Sequence, residues 1–139
     1  MKEIIENLNN SKKISNKFYS FSPKGYWSNL NKNENSKFII DLKKKGTKVA
    51  VKNLKKKFLF DVIFSKKRSY GLNLLKLKGN EVAIDFGCMW GAITIPLAKV
   101  VKKVIGIDQT KDSLFFLSKR AKENNLKNVF LLQENLRKI

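Results

Sequence analysis

The chain has 139 residues, of which 42% are hydrophobic, and carries 30 lysines and arginines against 11 aspartates and glutamates, a formal net charge of +19. These proportions fit one domain, or a domain plus an appendage, and exclude a wholly disordered chain. With one cysteine and no histidine, an internal disulfide, a cysteine-built metal site, a histidine-ligated zinc and a Ser-His-Asp triad are excluded, so no metal is expected.

The longest apolar stretch, Phe58 to Phe64, contains Asp61 and is far shorter than the ~20 residues a spanning helix needs. The N-terminus, MKEIIENLNNSKK, has no apolar core of signal-peptide length, so a cytoplasmic location is expected. Charge is uneven: residues 1–80 carry 20 basic and 5 acidic side chains, residues 81–139 carry 10 and 6. A basic surface attracts phosphate backbones. Only Arg68, Arg120 and Arg137 are arginines, however, and asparagine is abundant. Lysine and asparagine together also fit plain compositional bias, and base readers favour arginine's planar fork.

In chain order, residues 1–45 form a polar segment of weak pattern. Ile4, Ile5 and Leu8 have helical spacing, and Phe18 to Trp27 reads as an aromatic loop, packed on a neighbour or lying as a lid over a substrate. Residues 46–78 form a basic helical region. Within it, Lys48 to Lys52 alternates weakly and predicts a short strand. Leu54, Phe58, Leu59, Val62 and Ile63 predict one helix with Lys55, Lys56 and Lys57 on its solvent face. Leu72, Leu74, Leu75 and Leu77 predict a second helix, ended by Gly79-Asn80.

Residues 79–139 change in kind. Val82 to Phe86 reads as a strand buried on both faces. Gly87 to Gly91 is a tight turn, and Ala92 to Val101 a helix with Pro96 in its first turns. Lys103 to Asp108 is a second buried strand. Thr110 to Asn124 is a helix with Thr110 as N-cap, and Leu114, Leu117, Ala121 and Leu126 facing one way. Asn128 to Leu132 is a third strand. The order β-α-β-α-β with short links predicts parallel strands.

The chemistry concentrates in Val82-Ala-Ile-Asp-Phe-Gly-Cys-Met-Trp-Gly91 and Val104-Ile-Gly-Ile-Asp108. Gly87 lets the backbone turn sharply and a ligand approach closely. Gly91 opens a helix whose first N–H groups can hold an anion. Asp108, 17 residues after Gly91, ends the second strand, where a carboxylate can accept both ribose hydroxyl hydrogens. A dinucleotide site would want G-x-G-x-x-G, and the chain has Gly87-x-x-x-Gly91 preceded by Asp85.

That arrangement resembles the first motif of the class I S-adenosylmethionine-dependent methyltransferases, and the likeness continues through Thr94 to Ala98, Asp108 and the third strand. The resemblance implies an α/β fold, a partial Rossmann-like three-layer sandwich. Three parallel strands with helices would follow a mainly helical or irregular basic N-terminal region. It implies S-adenosylmethionine as cofactor. Asp85, Gly87, Cys88 and Gly91 would border its methionine end, Asp108 its ribose and Gln109 its adenine, and Asn135 would bond the adenine amino group. Plainer readings stand beside these: Asp85 as a turn cap, Cys88 as a small packing residue, Asn135 as a loop residue. The middle glycine position of the motif is Met89, whose side chain would enter the space of the methionine tail.

The family's fourth to seventh strands have no counterpart before Ile139. The expectation is therefore a truncated, fragmentary or split methyltransferase, inactive as this chain alone, with its catalytic residues unknown. Its first strand would have an open edge that a second copy or a partner chain could complete. A small-molecule or glycan acceptor is expected first and RNA second. The alternative is a basic RNA-binding or structural module built on a vestigial nucleotide-binding half-fold.

Overall fold

The computed structural model describes residues 32–134. The expected first helix, the aromatic loop and Asn135 lie outside them. Three helices come first: α1 (Lys32–Lys45), α2 (Thr47–Asn53) and α3 (Lys57–Phe64). A 3-10 stretch, Lys66–Leu75, leads to β1 (Val82–Phe86), α4 (Thr94–Ala98), β2 (Lys103–Asp108), α5 (Lys111–Glu123) and β3 (Val129–Gln133). The strands form one parallel sheet in the order β1-β2-β3, with Asp85 opposite Gly106 and Asp108 opposite Gln133. Three parallel strands with flanking helices make this the α/β, Rossmann-like architecture expected from the motifs.

β2 is the central strand and is buried from Val104 to Asp108. Its alternate residues serve two faces. Val104 packs with Leu97, Ala98 and Val101, while Ile105 and Ile107 pack with Leu132 and Ile84. Leu114, Leu117 and Ala121 of α5 meet Ile95, Cys88 and Leu126 in a third cluster, so the helical stripe read from spacing is the face that is buried. β1 differs from expectation. It pairs with β2 alone among the described residues, and Val82 and Phe86 are exposed. An apolar run marks a strand fit for burial, but only neighbours bury it.

The N-terminal helices share a core with the glycine turn. Phe38 and Leu42 of α1, Ala50 and Val51 of α2, and Leu59 and Ile63 of α3 close around Trp90 and Phe116. Trp90 stacks on Phe116 at 4.4 Å between centroids and on Phe38 at 5.6 Å. Such ring pairs add about 1 kcal/mol each beyond their buried area.

Several sequence expectations are corrected here. Residues 32–45 are helical rather than weakly structured, because Phe38 and Leu42 give α1 an i, i+4 apolar pair to bury. Residues 48–52 form α2, not a strand. Gly46 enters it at φ +88°, Glu123 accepts bonds from the Thr47 N–H and hydroxyl, and Thr47, Ala50 and Val51 line one buried face. The helix expected across 54–63 breaks at Lys55, which is left-handed at φ +55°, and restarts at Lys57. The second leucine pattern is a 3-10 stretch that ends at left-handed Lys76, before Gly79. The helix expected over 92–101 is regular only from Thr94 to Ala98, and its last bonds, Lys99 N–H to Pro96 and Val100 N–H to Leu97, are tight i+3 turns.

Candidate functional site

The site lies where β1 and β2 end side by side. After Phe86 the chain turns at Gly87, φ +68°, and the N–H groups of Gly87 and Cys88 both donate to the Ile107 carbonyl, at 2.8 and 3.1 Å. The turn is thus stitched to the tip of β2. It continues through Met89 at φ +44° and closes with the Gly91 N–H donating to the Cys88 carbonyl at 2.8 Å.

The two glycines do different work. A Cβ on Gly91 would lie 2.2 Å from Leu117 Cδ1, so Gly91 exists for close helix packing. A Cβ on Gly87 would meet nothing within 4 Å, so its backbone is open to an incoming group. Cys88 is buried, and its sulfur fills space that Gly106 leaves by having no side chain. Burial, with Asp85 and Asp108 nearby, pushes its thiol far above the usual range, so it is not a thiolate nucleophile.

Two carboxyl groups face the turn. Asp108 is buried, and each of its oxygens accepts a backbone bond: Oδ2 from the Met89 N–H at 2.9 Å, Oδ1 from the Thr110 N–H at 2.8 Å. Each carboxylate oxygen has a second acceptor site. Asp85, half-buried, accepts a bond from the Thr94 hydroxyl at 2.5 Å. Burial raises its pKa above the carboxylate norm, partly offset by the Thr94 bonds, and Asp108 raises it a little further. Gln109 is exposed, and its carbonyl accepts from the Gln133 side chain at 3.2 Å. Thr110 does begin α5, but the cap bond is supplied by Asp108, not by its own hydroxyl.

Beside the turn is a pocket of about 70 Å³, walled by Asp85, Gly87 and Met89 on one side and by Leu59, Val62 and Arg68 on the other. The N-terminal helices therefore contribute a wall that the strand motifs alone do not announce. Arg120 was also missed. Buried in α5, it donates to the carbonyls of Trp90 and Gly91 and to that of Ile63, all at 2.9 Å, and its guanidinium lies 4.5 Å from the Phe64 ring centroid. Burial lowers its pKa to about 10, still charged at neutral pH. One arrangement thus clamps the glycine turn to the end of α3. The signal available was scarcity: in a chain that uses lysine almost throughout, two of its three arginines stand at this site.

A bare-backbone turn after one strand and a carboxylate at the tip of the next are the arrangement by which nucleoside-binding α/β folds hold a ribose. Residues 77–139 match the family model described as a methyltransferase domain. Over 65 residues the chain is 38% identical to the 23S rRNA (uracil(1939)-C(5))-methyltransferase of Aliivibrio fischeri, covering 47% of this chain and 15% of that protein. Over 91 residues it is 33% identical to ribosomal RNA small subunit methyltransferase A of Wigglesworthia glossinidia brevipalpis, covering 63% and 34%. The solved precorrin 8w decarboxylase of Methanobacterium thermoautotrophicum aligns with a TM-score of 0.49 and 27% identity, over 53% of this chain and 40% of that one. The chain thus spans about a third or less of the length of these curated relatives. Among the described residues no group of three or more potential metal ligands occurs, and no helix is long and apolar enough to cross a membrane.

Proposed function

We infer that the chain binds S-adenosylmethionine at the β1–β2 tips and serves methyl transfer. The observation that carries this is the position of Asp108. It sits at the strand tip next to the open backbone of Gly87, held rigidly by two N–H groups and with acceptor capacity to spare.

The residues present fit the cofactor. Asp85 and the Gly87–Gly91 turn would border its methionine end, where the pocket lies. Asp108 would take the ribose hydroxyls, and Gln109 would lie by the adenine, with Asn135 assigned to the adenine amino group. The bound cofactor supplies an activated methyl group. The chain's own contribution is to hold it in line with an acceptor, which is where most of the rate of such a transfer originates. On this reading residues 79–139 form the cofactor unit, and the helices of residues 46–78, with α1, complete its wall.

The location follows as cytoplasmic. For the acceptor, RNA takes precedence over a small molecule or glycan, because both curated relatives act on ribosomal RNA by name. The edge of β1 that no described residue pairs supports a partner strand, from a second copy or another chain, as part of the same proposal. Isothermal titration with S-adenosylmethionine, with S-adenosylhomocysteine as competitor, tests the cofactor assignment. Saturable binding displaced by the competitor is expected. A flat titration of the folded protein would overturn it.

A further inference from the structure

The 3-10 stretch Lys66–Leu75 has no buried residue, and it ends the pocket wall at Arg68. In a 3-10 helix residues i and i+3 eclipse, so ten residues make three straight rows. One row is Lys66, Ser69, Leu72 and Leu75; Leu72 packs inward against Leu97 and Val101, while Lys66 and Leu75 at its ends are exposed. The other two face out. Lys67, Tyr70 and Asn73 form one, Arg68, Gly71 and Leu74 the next, and all six are exposed. Tyr70 is 63% exposed, and the Cα of Gly71 beside it has open space around it. A flat group could therefore lie on the Tyr70 ring unhindered. Residues 66–78 hold five cationic side chains, Lys66, Lys67, Arg68, Lys76 and Lys78, and no acidic one.

We propose that this ridge is the docking surface for single-stranded RNA, leading the strand along Lys67 and Tyr70 to the pocket mouth at Arg68. The proposal rests on the methyltransferase reading and names its acceptor and the route by which it arrives. Single-stranded nucleic acid is recognised by a cationic track with an aromatic ring on which a base stacks. The outward rows supply both, together with an amide at Asn73. The exposed apolar side chains of the stretch, Tyr70, Leu74 and Leu75, are few for a membrane-seated helix. Arg68 belongs both to the ridge and to the pocket wall, which joins the track to the site of transfer.

The test uses the full chain and a fluorescein-labelled oligouridylate of about 12 nucleotides, within the span such grooves hold. Tyr70→Ala is expected to weaken binding roughly tenfold or more, and Tyr70→Phe to restore it. Lys66→Glu/Lys67→Glu is expected to weaken it about tenfold and to lower the salt slope by about 1.4. Lys43→Glu/Lys44→Glu, the same charge change on exposed positions of α1, should cost less than about threefold. Equal loss in the two lysine pairs would overturn the ridge in favour of plain net charge. So would Tyr70→Ala releasing the protein from anionic phosphatidylserine vesicles while leaving RNA binding intact. Titration with S-adenosylmethionine separates the two readings. Its failure in the unmodified chain removes the methyltransferase and leaves the ridge, while ridge variants that keep full cofactor binding but show no RNA defect remove only the ridge.

Discussion

The Asp108 carboxylate accepts the backbone N–H of Met89, 2.9 Å away and 19 positions earlier in the chain. A residue in a left-handed conformation, where glycine is the usual occupant, is thereby fixed to the tip of the neighbouring strand. The proposed ribose ligand is therefore also the post that shapes the turn beneath the ligand.

Removing that post has two effects that can be separated. Asp108→Ala leaves the Met89 and Thr110 N–H groups without their acceptor, a loss of about 2–4 kcal/mol. Denaturant unfolding measures it. Cofactor binding should also vanish in the variant at temperatures where circular dichroism shows it folded. Normal binding by the folded variant would contradict the ribose role.

The two turn glycines should respond differently to a methyl group. Gly91→Ala combines a left-handed backbone with a Cβ 2.2 Å from Leu117, and an overpacked core of this kind costs about 3 kcal/mol or more. Gly87→Ala meets no atom within 4 Å and should cost only the left-handed penalty, about 1 kcal/mol. Its damage should instead appear as weaker cofactor binding. Paired melting and titration of both variants decides this.

Met89→Gly relieves a strained backbone and removes a side chain from the pocket wall. The gain in strain and the entropy of the added glycine nearly offset each other, leaving stability within about 1 kcal/mol. Cofactor affinity should rise severalfold. An unchanged or reduced affinity would show that Met89 does not obstruct the tail.

Asp85 gives a pH signature. Its folded pKa lies above the unfolded 3.8, so the folded state binds its proton more tightly. The stability this contributes is present at low pH and is lost as pH rises through the folded pKa. Asp85→Asn should therefore stabilise the protein relative to the parent at pH 7, and the difference should shrink as pH falls toward 3.8. Melting temperatures across that range test the sign.

Arg120→Met strips three backbone carbonyls of their donor and should cost about 3 kcal/mol. Arg120→Lys should recover little of it. A point-charge ammonium cannot span carbonyls that a planar fork reaches together. Chemical denaturation of both variants provides the comparison.

The chain order of strands, turn and helices from residue 79 onward was legible in the sequence because each feature is local. A glycine turn, an apolar run and the Leu114–Leu117–Ala121 stripe are written in neighbouring residues. Asp85, Gly87, Cys88, Gly91, Asp108 and Gln109 were picked out as candidates the same way, and the structure places them at or beside the two strand tips. What sequence misjudged was short and context-bound: the weak alternation at residues 48–52, the break at Lys55, the 3-10 path of residues 66–75. At residues 48–52, burial of Ala50 and Val51 against distant partners outweighed local propensity.

By itself, then, the sequence determined that two parallel strands end in a bare turn and a carboxylate, since spacing and residue type dictate both. Only the tertiary structure decided that Glu123 anchors α2, that Arg120 clamps the turn to α3, and that Arg68 closes the pocket. Those contacts join segments 29 to 76 residues apart or meet across a shared wall, and no local pattern encodes which distant surface a buried charge will find.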